Sequence, residues 1–137
     1  MIDQDRIVNS FCELVKIDSP SDEEEEVAQY LIPILENLGF SVARDAHGNV
    51  IASEEGDSPL LLSAHMDTVE PGRGIVPSIK DDRRVSDGTT IMGGDCKAGV
   101  AAILEGVTSV KEEKKSHRPL QIVFTRGEEI GLSLIHI

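Results

Sequence analysis

A mixed α/β fold is predicted by three features of this 137-residue sequence. Segments with apolar residues at helical spacing alternate with short apolar runs. Two of those runs, Leu60-Leu61-Leu62-Ser63-Ala64 and Leu120-Gln121-Ile122-Val123-Phe124, read as strands covered on both faces. No internal repeat or interdomain linker breaks the alternation. The expected sheet is mixed and mostly parallel, with helices flanking it.

The elements follow in order. From about Gln4 to Ile17, residues Ile7, Phe11, Leu14 and Val15 share one helical face. Ser19-Pro20 interrupts. Ser21 and Glu24 then form a capping-box pattern for a second helix. Its apolar stripe is Val27, Leu31, Ile34, Leu35 and Leu38, and Gly39 suits its end. Pro33 lies inside that helix, where a proline removes a hydrogen bond and costs about 3 kcal/mol, so a bend is expected between Gln29 and Pro33.

Phe40 to Arg44 and Asn49 to Ser53 read as strands joined by a turn at His47-Gly48-Asn49, with His47 a solvated turn residue. Glu70 to Gly94 is long, irregular and rich in Gly, Pro and Asp. A connection of that length is either functional or disordered, and its neighbours favour function. Ala98 to Val110 is predicted helical through Val100, Ile103, Leu104 and Val107, and Lys111 to Lys115 is a charged surface connection.

Composition limits the possibilities. The length allows at most one ordinary domain. A net charge of -12 argues against nucleic-acid binding, which needs clustered Lys and Arg. The acidic run Asp22 to Glu26 reads as a solvated helix start that suits the helix dipole. No apolar stretch nears the roughly 20 residues that span a bilayer, so no membrane partner is expected. Met1 to Asp5 shows no signal-peptide pattern, and Cys12 and Cys96 make no disulfide framework. Cys12 reads as a small core residue. The default location is the cytoplasm.

Three short motifs carry the chemistry: Ala64-His65-Met66-Asp67-Thr68-Val69, Gly93-Gly94-Asp95-Cys96-Lys97-Ala98-Gly99 and Arg126-Gly127-Glu128-Glu129-Ile130-Gly131. All are expected near the C-terminal ends of apolar strands, where open α/β sheets bind ligands. Each alone has a plain reading. His65 could be a surface or core histidine, Asp95 a helix cap, and Glu128-Glu129 a solvated pair. Together they offer one imidazole and several carboxylates, a donor set suited to a pair of hydrolytic metal ions.

In order and local context these motifs resemble the M20 family of zinc metallopeptidases, most closely its peptidase T-like branch. Ser86-Asp87-Gly88-Thr89-Thr90-Ile91 and Lys97-Ala98-Gly99-Val100-Ala101 share the likeness, which runs from about Ile7 to Leu132. The resemblance implies that His65, Asp95 and Glu129 are metal ligands, Asp95 bridging two metals with a cis peptide bond after it. It implies that Asp67 orients His65 and is catalytic, and that Glu128 is the general base that passes a proton to the leaving amine. It further implies two Zn2+ ions per complete site, replaceable by Co2+ or Mn2+, a short peptide as substrate, and a homodimeric parent.

The sequence also departs from that family. Cys96 stands where relatives often have an acidic or amide residue, and it reads as a small neutral substitute. Residues 1–132 correspond to the N-terminal part of the catalytic domain. Relatives add a further carboxylate ligand, a distal histidine and a lid or dimerisation domain, and His136 is too near Glu129 to be that histidine. Residues 133–137 do not match what should follow Glu-Glu-Ile-Gly and read as a non-native tail. The chain alone is therefore expected to bind metal weakly and to lack useful activity. The rival expectations are an N-acyl amino acid deacylase or carboxypeptidase, and a non-catalytic binding protein on the same fold.

Overall fold

The computed structural model describes residues 1–131. Residues 133–137, read above as a non-native tail and including His136, lie outside them. Helix α1 (Gln4–Lys16) begins where the Asp3 carboxylate accepts the N–H groups of Asp5 and Arg6. Helix α2 (Glu25–Asn37) carries Pro33 inside it as a single element. Strands β1 (Ser41–Arg44) and β2 (Val50–Ser53) form the expected hairpin, its turn held by Asp45, whose carboxylate accepts the N–H groups of His47 and Asn49. Strand β3 (Leu60–His65), helix α3 (Gly94–Glu112) and strand β6 (Leu120–Thr125) complete the main layers.

The four-stranded sheet has the order β1-β2-β6-β3. It is mixed, as expected, but not mostly parallel. Among the described residues β3 and β6 pair in parallel, while β1–β2 and β2–β6 are antiparallel. The parallel pair needs a crossover, and α3 supplies it. Valines and leucines of α1, α2 and α3 pack on Ala52, Ile122 and Phe124 to form the core.

Three other expectations change. β3 is not covered on both faces: it lies at the sheet edge, and Leu60 and Leu61 are exposed. An apolar run at an edge looks the same in sequence as one in the middle. The irregular segment from Glu70 to Gly94 holds a small hairpin, β4 (Ser78–Lys80) and β5 (Arg83–Val85), turning through Asp81 and Asp82, both at positive φ. Its strands are three residues long, too short for a periodicity to show. The capping box is not made either: Glu24 ends up as the α2 N-cap with no side-chain cap bond. No helix among the described residues is long and apolar enough to cross a membrane.

Behind the site, α1 and α3 are tied by an ion pair. The Arg6 guanidinium donates to the Glu105 carboxylate from Nε at 2.6 Å and reaches Glu112 as well. The Glu105 carboxylate is almost fully buried and also accepts the Asp3 N–H and the Ser109 hydroxyl.

Candidate metal centre

The parallel register sets His65 opposite Thr125, and the Met66 N–H donates to the Thr125 carbonyl at 2.8 Å. The chain leaving β3 and the chain leaving β6 therefore exit side by side. His65 ends β3, and Glu128–Ile130 forms a single 3-10 turn just past β6. Asp95 arrives differently. It comes from the N-terminal end of α3, not from the end of a core strand, with Asp95 and Cys96 in non-helical geometry and a cis peptide bond between them.

Two glycines make these approaches possible. Gly93 and Gly127 sit in the left-handed region at φ 71° and 68°, immediately before the α3 start and the 3-10 turn. At Gly93 a Cβ would also stand 3.3 Å from the Ile75 Cδ1.

The site converges on the buried imidazole of His65. Its Nδ1 lies 2.8 Å from the Asp67 carbonyl oxygen, which can only accept, so Nδ1 carries a proton in either charge state; Nε2 donates to Asp95 when the ring is protonated and offers its lone pair when the ring is neutral. Nε2 stands 3.0 Å from Asp95 Oδ1 and 3.8 Å from Glu128 Oε2. Ligand atoms of His65, Glu128 and Glu129 lie within 4.8 Å of one another, as do those of His65, Asp95 and Cys96. The Asp95 carboxylate is 86% exposed and Glu128 is about half exposed, so this face is open to solvent and ligand.

Asp67 does two jobs. Its carboxylate Oδ1 is 3.3 Å from His65 Nδ1, but the carbonyl of the same residue makes the closer contact. The fully buried carboxylate accepts the N–H groups of Glu128 and Glu129, each at 3.0 Å, and the Ser21 hydroxyl at 2.7 Å. It therefore fixes the backbone of the Glu128-Glu129 turn relative to His65.

Electrostatics mark the cluster. Burial pushes the His65 pKa down, but the hydrogen bond to Asp95 and the nearby Asp67 and Glu128 outweigh it and raise the net value. Burial raises the Glu129 pKa, and Asp95, Glu128 and Asp67 add to the rise against the opposing effect of His65. Among the described residues no lysine or arginine forms an ion pair with Asp95, Glu128 or Glu129. Carboxylates held together without a protein cation around an imidazole lone pair fit a divalent metal, and the N and O donors suit zinc.

The structure brings all five sequence-predicted residues, His65, Asp67, Asp95, Glu128 and Glu129, into one place. It adds three that sequence reasoning passed over: Ser21, Glu24 and Arg126. Glu24 is 2% exposed, which corrects the view of Asp22 to Glu26 as a wholly solvated run. The available signal was Ser21 and Glu24 at capping-box spacing directly after a proline, which was assigned to the helix.

Fold and site together define an α/β domain of the zinc-peptidase superfamily. The chain belongs to peptidase family M28, whose family model matches residues 49–133, more than half of its length. A tripeptidase structure from Staphylococcus aureus superposes with a TM-score of 0.91 at 39% identity, covering 96% of this chain and 39% of that one. The aminopeptidase PepT of Bacillus cereus gives a TM-score of 0.91 at 40% identity, covering 96% and 38%. The uncharacterized protein YqjE of Bacillus subtilis is 36% identical over 143 aligned positions, covering 96% of this chain and 38% of the relative. The chain thus spans about two-fifths of the length of these relatives.

Proposed function

We propose that this chain, whose matching family model is that of M28, forms part of a dinuclear metal peptidase site like that of the M20, peptidase T-like branch of the same superfamily, in a longer protein that frees the N-terminal residue of short peptides. The observation that carries the reading is the convergence of Asp95 and Glu128 on His65 Nε2, at 3.0 and 3.8 Å, without a protein cation among the described residues. The likeness to a tripeptidase and to PepT supports the substrate class.

His65, Asp95 and Glu129 would hold metal, zinc by donor type, with Co2+ or Mn2+ as substitutes. A bound metal supplies the Lewis acidity that makes water nucleophilic near neutral pH. Glu128, half exposed beside Nε2, is placed to accept the proton of the attacking water and hand it to the leaving amine. Asp67 keeps the two glutamates and the imidazole in register. The Cys96 sulfur packs against Gly99, where an added Cβ would stand 2.7 Å away, and in this reading it is a neutral neighbour and not a ligand.

Residues 1–132 are, in this reading, the N-terminal part of the catalytic domain of a homodimeric parent. Two unpaired cysteines suit a cytoplasmic setting. Among the described residues, the group assembled around His65 offers one imidazole, fewer donors than two metals require. The 137-residue chain alone is therefore expected to bind zinc weakly and to show no useful turnover.

The test assays the chain and a longer protein containing it on a tripeptide and on an N-acetyl amino acid, with and without a chelator. Tripeptide hydrolysis by the longer protein alone, lost with chelator and in His65→Ala and Glu129→Ala, is the expected result. Cleavage restricted to the N-acetyl amino acid would replace the peptidase reading with a deacylase. Turnover indifferent to both substitutions would overturn the metal reading.

A further inference from the structure

We infer that the connection between α1 and α2, residues 19–24, is a positioning strap for the Glu128-Glu129 turn, with Ser21 and Glu24 as its positioning residues. The inference rests on the metal-site reading above and extends it to residues outside the three motifs.

The strap lies along the segment that leaves β3. Pro20 and Thr68 form a parallel bridge, the Thr68 N–H donates to the Ser19 carbonyl at 2.9 Å, and the Ser19 hydroxyl donates to the Met66 carbonyl at 2.9 Å. Its two ends reach the same turn by different routes. The Ser21 hydroxyl donates to Asp67 Oδ2, the oxygen that also accepts the Glu129 N–H. Glu24 Oε1 accepts the Gly127 N–H at 3.0 Å, and its Oε2 accepts Arg126 Nε at 2.8 Å. Arg126 is held further by the Asp22 carbonyl, at 2.8 Å from its guanidinium, and by the Asn49 side-chain oxygen, which accepts its backbone N–H at 2.8 Å.

Backbone N–H groups of Gly127, Glu128 and Glu129 therefore all end on two buried carboxylates, Glu24 and Asp67, and Ser21 fixes the orientation of the second. Glu24 stands at the α2 N-cap, but its side chain makes no cap hydrogen bond to the helix and is turned to Gly127 and Arg126 instead. A buried glutamate engaged with a site loop and a serine on the buried aspartate are what an outer shell needs to hold two metal-facing carboxylates at fixed separation.

The experiment compares Ser21→Ala, Ser21→Thr and Glu24→Gln in the 137-residue chain. The first readout needs no metal: amide NMR shifts and hydrogen exchange at Gly127, Glu128 and Glu129. Ser21→Ala should shift the Glu128 and Glu129 amides and speed their exchange, while Ser21→Thr, which keeps the hydroxyl, restores the parent pattern. Glu24→Gln should act at Gly127 or at Arg126, whichever donor the amide nitrogen then faces.

The second readout is Co2+ titration followed by visible absorption. Affinity should fall about tenfold in Ser21→Ala, the lower end of what outer-shell partners contribute, and recover in Ser21→Thr. Unchanged amides in Ser21→Ala and Glu24→Gln would overturn the strap whether or not metal binds. Altered amides with a parent chain that takes up no Co2+ would support the strap and overturn only the expectation that this chain alone binds metal. Altered amides with undiminished Co2+ affinity would overturn the positioning role.

Discussion

Asp67→Ala should lower the stability of the chain by about 3–5 kcal/mol and loosen the turn that carries Glu128 and Glu129. The fully buried carboxylate accepts three hydrogen bonds, from two backbone N–H groups and the Ser21 hydroxyl. Alanine removes the acceptor and leaves those donors unpaired, each at a desolvation cost of about 1–3 kcal/mol. Asparagine is not a gentle replacement: one of its two polar atoms is a donor and would face another donor. Asp67→Asn is therefore expected to fall between parent and alanine. Urea unfolding monitored by circular dichroism measures both. A loss below about 1 kcal/mol in Asp67→Ala would mean that water takes over the carboxylate's role.

The second large effect lies away from the site. Glu105→Gln should cost about 1.5–3 kcal/mol near neutral pH, the range for hydrogen bonds to a charged group. The hydrogen bond from Arg6 holds the Glu105 carboxyl well below its usual range, to about 2, against opposing burial and with help from the Asp3 N–H and the Ser109 hydroxyl. A depressed carboxyl stabilises the folded chain above its unfolded value of 4.5, and this contribution is lost as pH falls from 4.5 toward about 2. The parent should accordingly lose stability across that window more steeply than Glu105→Gln. Equal slopes for the two chains from pH 5 to pH 2 would show that the pair does not control acid unfolding.

Much of the fold was legible because its periodic segments are long. α1, α2 and α3 each extend over three turns or more, and Leu120 to Phe124 is buried as its continuous apolar run suggested. β3 was misjudged because two exposed leucines at a sheet edge look like two buried ones until the strand order is known. The β4–β5 hairpin was missed because three residues cannot display a period. The five residues that cluster around His65 could be singled out together because their motifs are local in sequence. Ser21, Glu24 and Arg126 were not: their partners lie 46 to 103 positions away, and a Ser-x-x-Glu spacing has a commoner use at helix starts. The orientation of His65 was only half readable, since a backbone carbonyl of Asp67, not its side chain alone, takes the Nδ1 proton.

The parallel pairing of β3 with β6 also governs when the site can exist. Ser63 contacts Val123 across 60 residues, and Asp67 meets Glu128 across 61. Closing a loop of that size must precede any reward from the contacts it brings, which places this ladder among the slower steps of folding. On a ribosome making about 5–20 residues per second, His65 is completed several seconds before the turn that it faces. During that interval its imidazole has no glutamates beside it, and the cluster around His65 forms only once the chain has passed Glu129 and β6 has docked on β3.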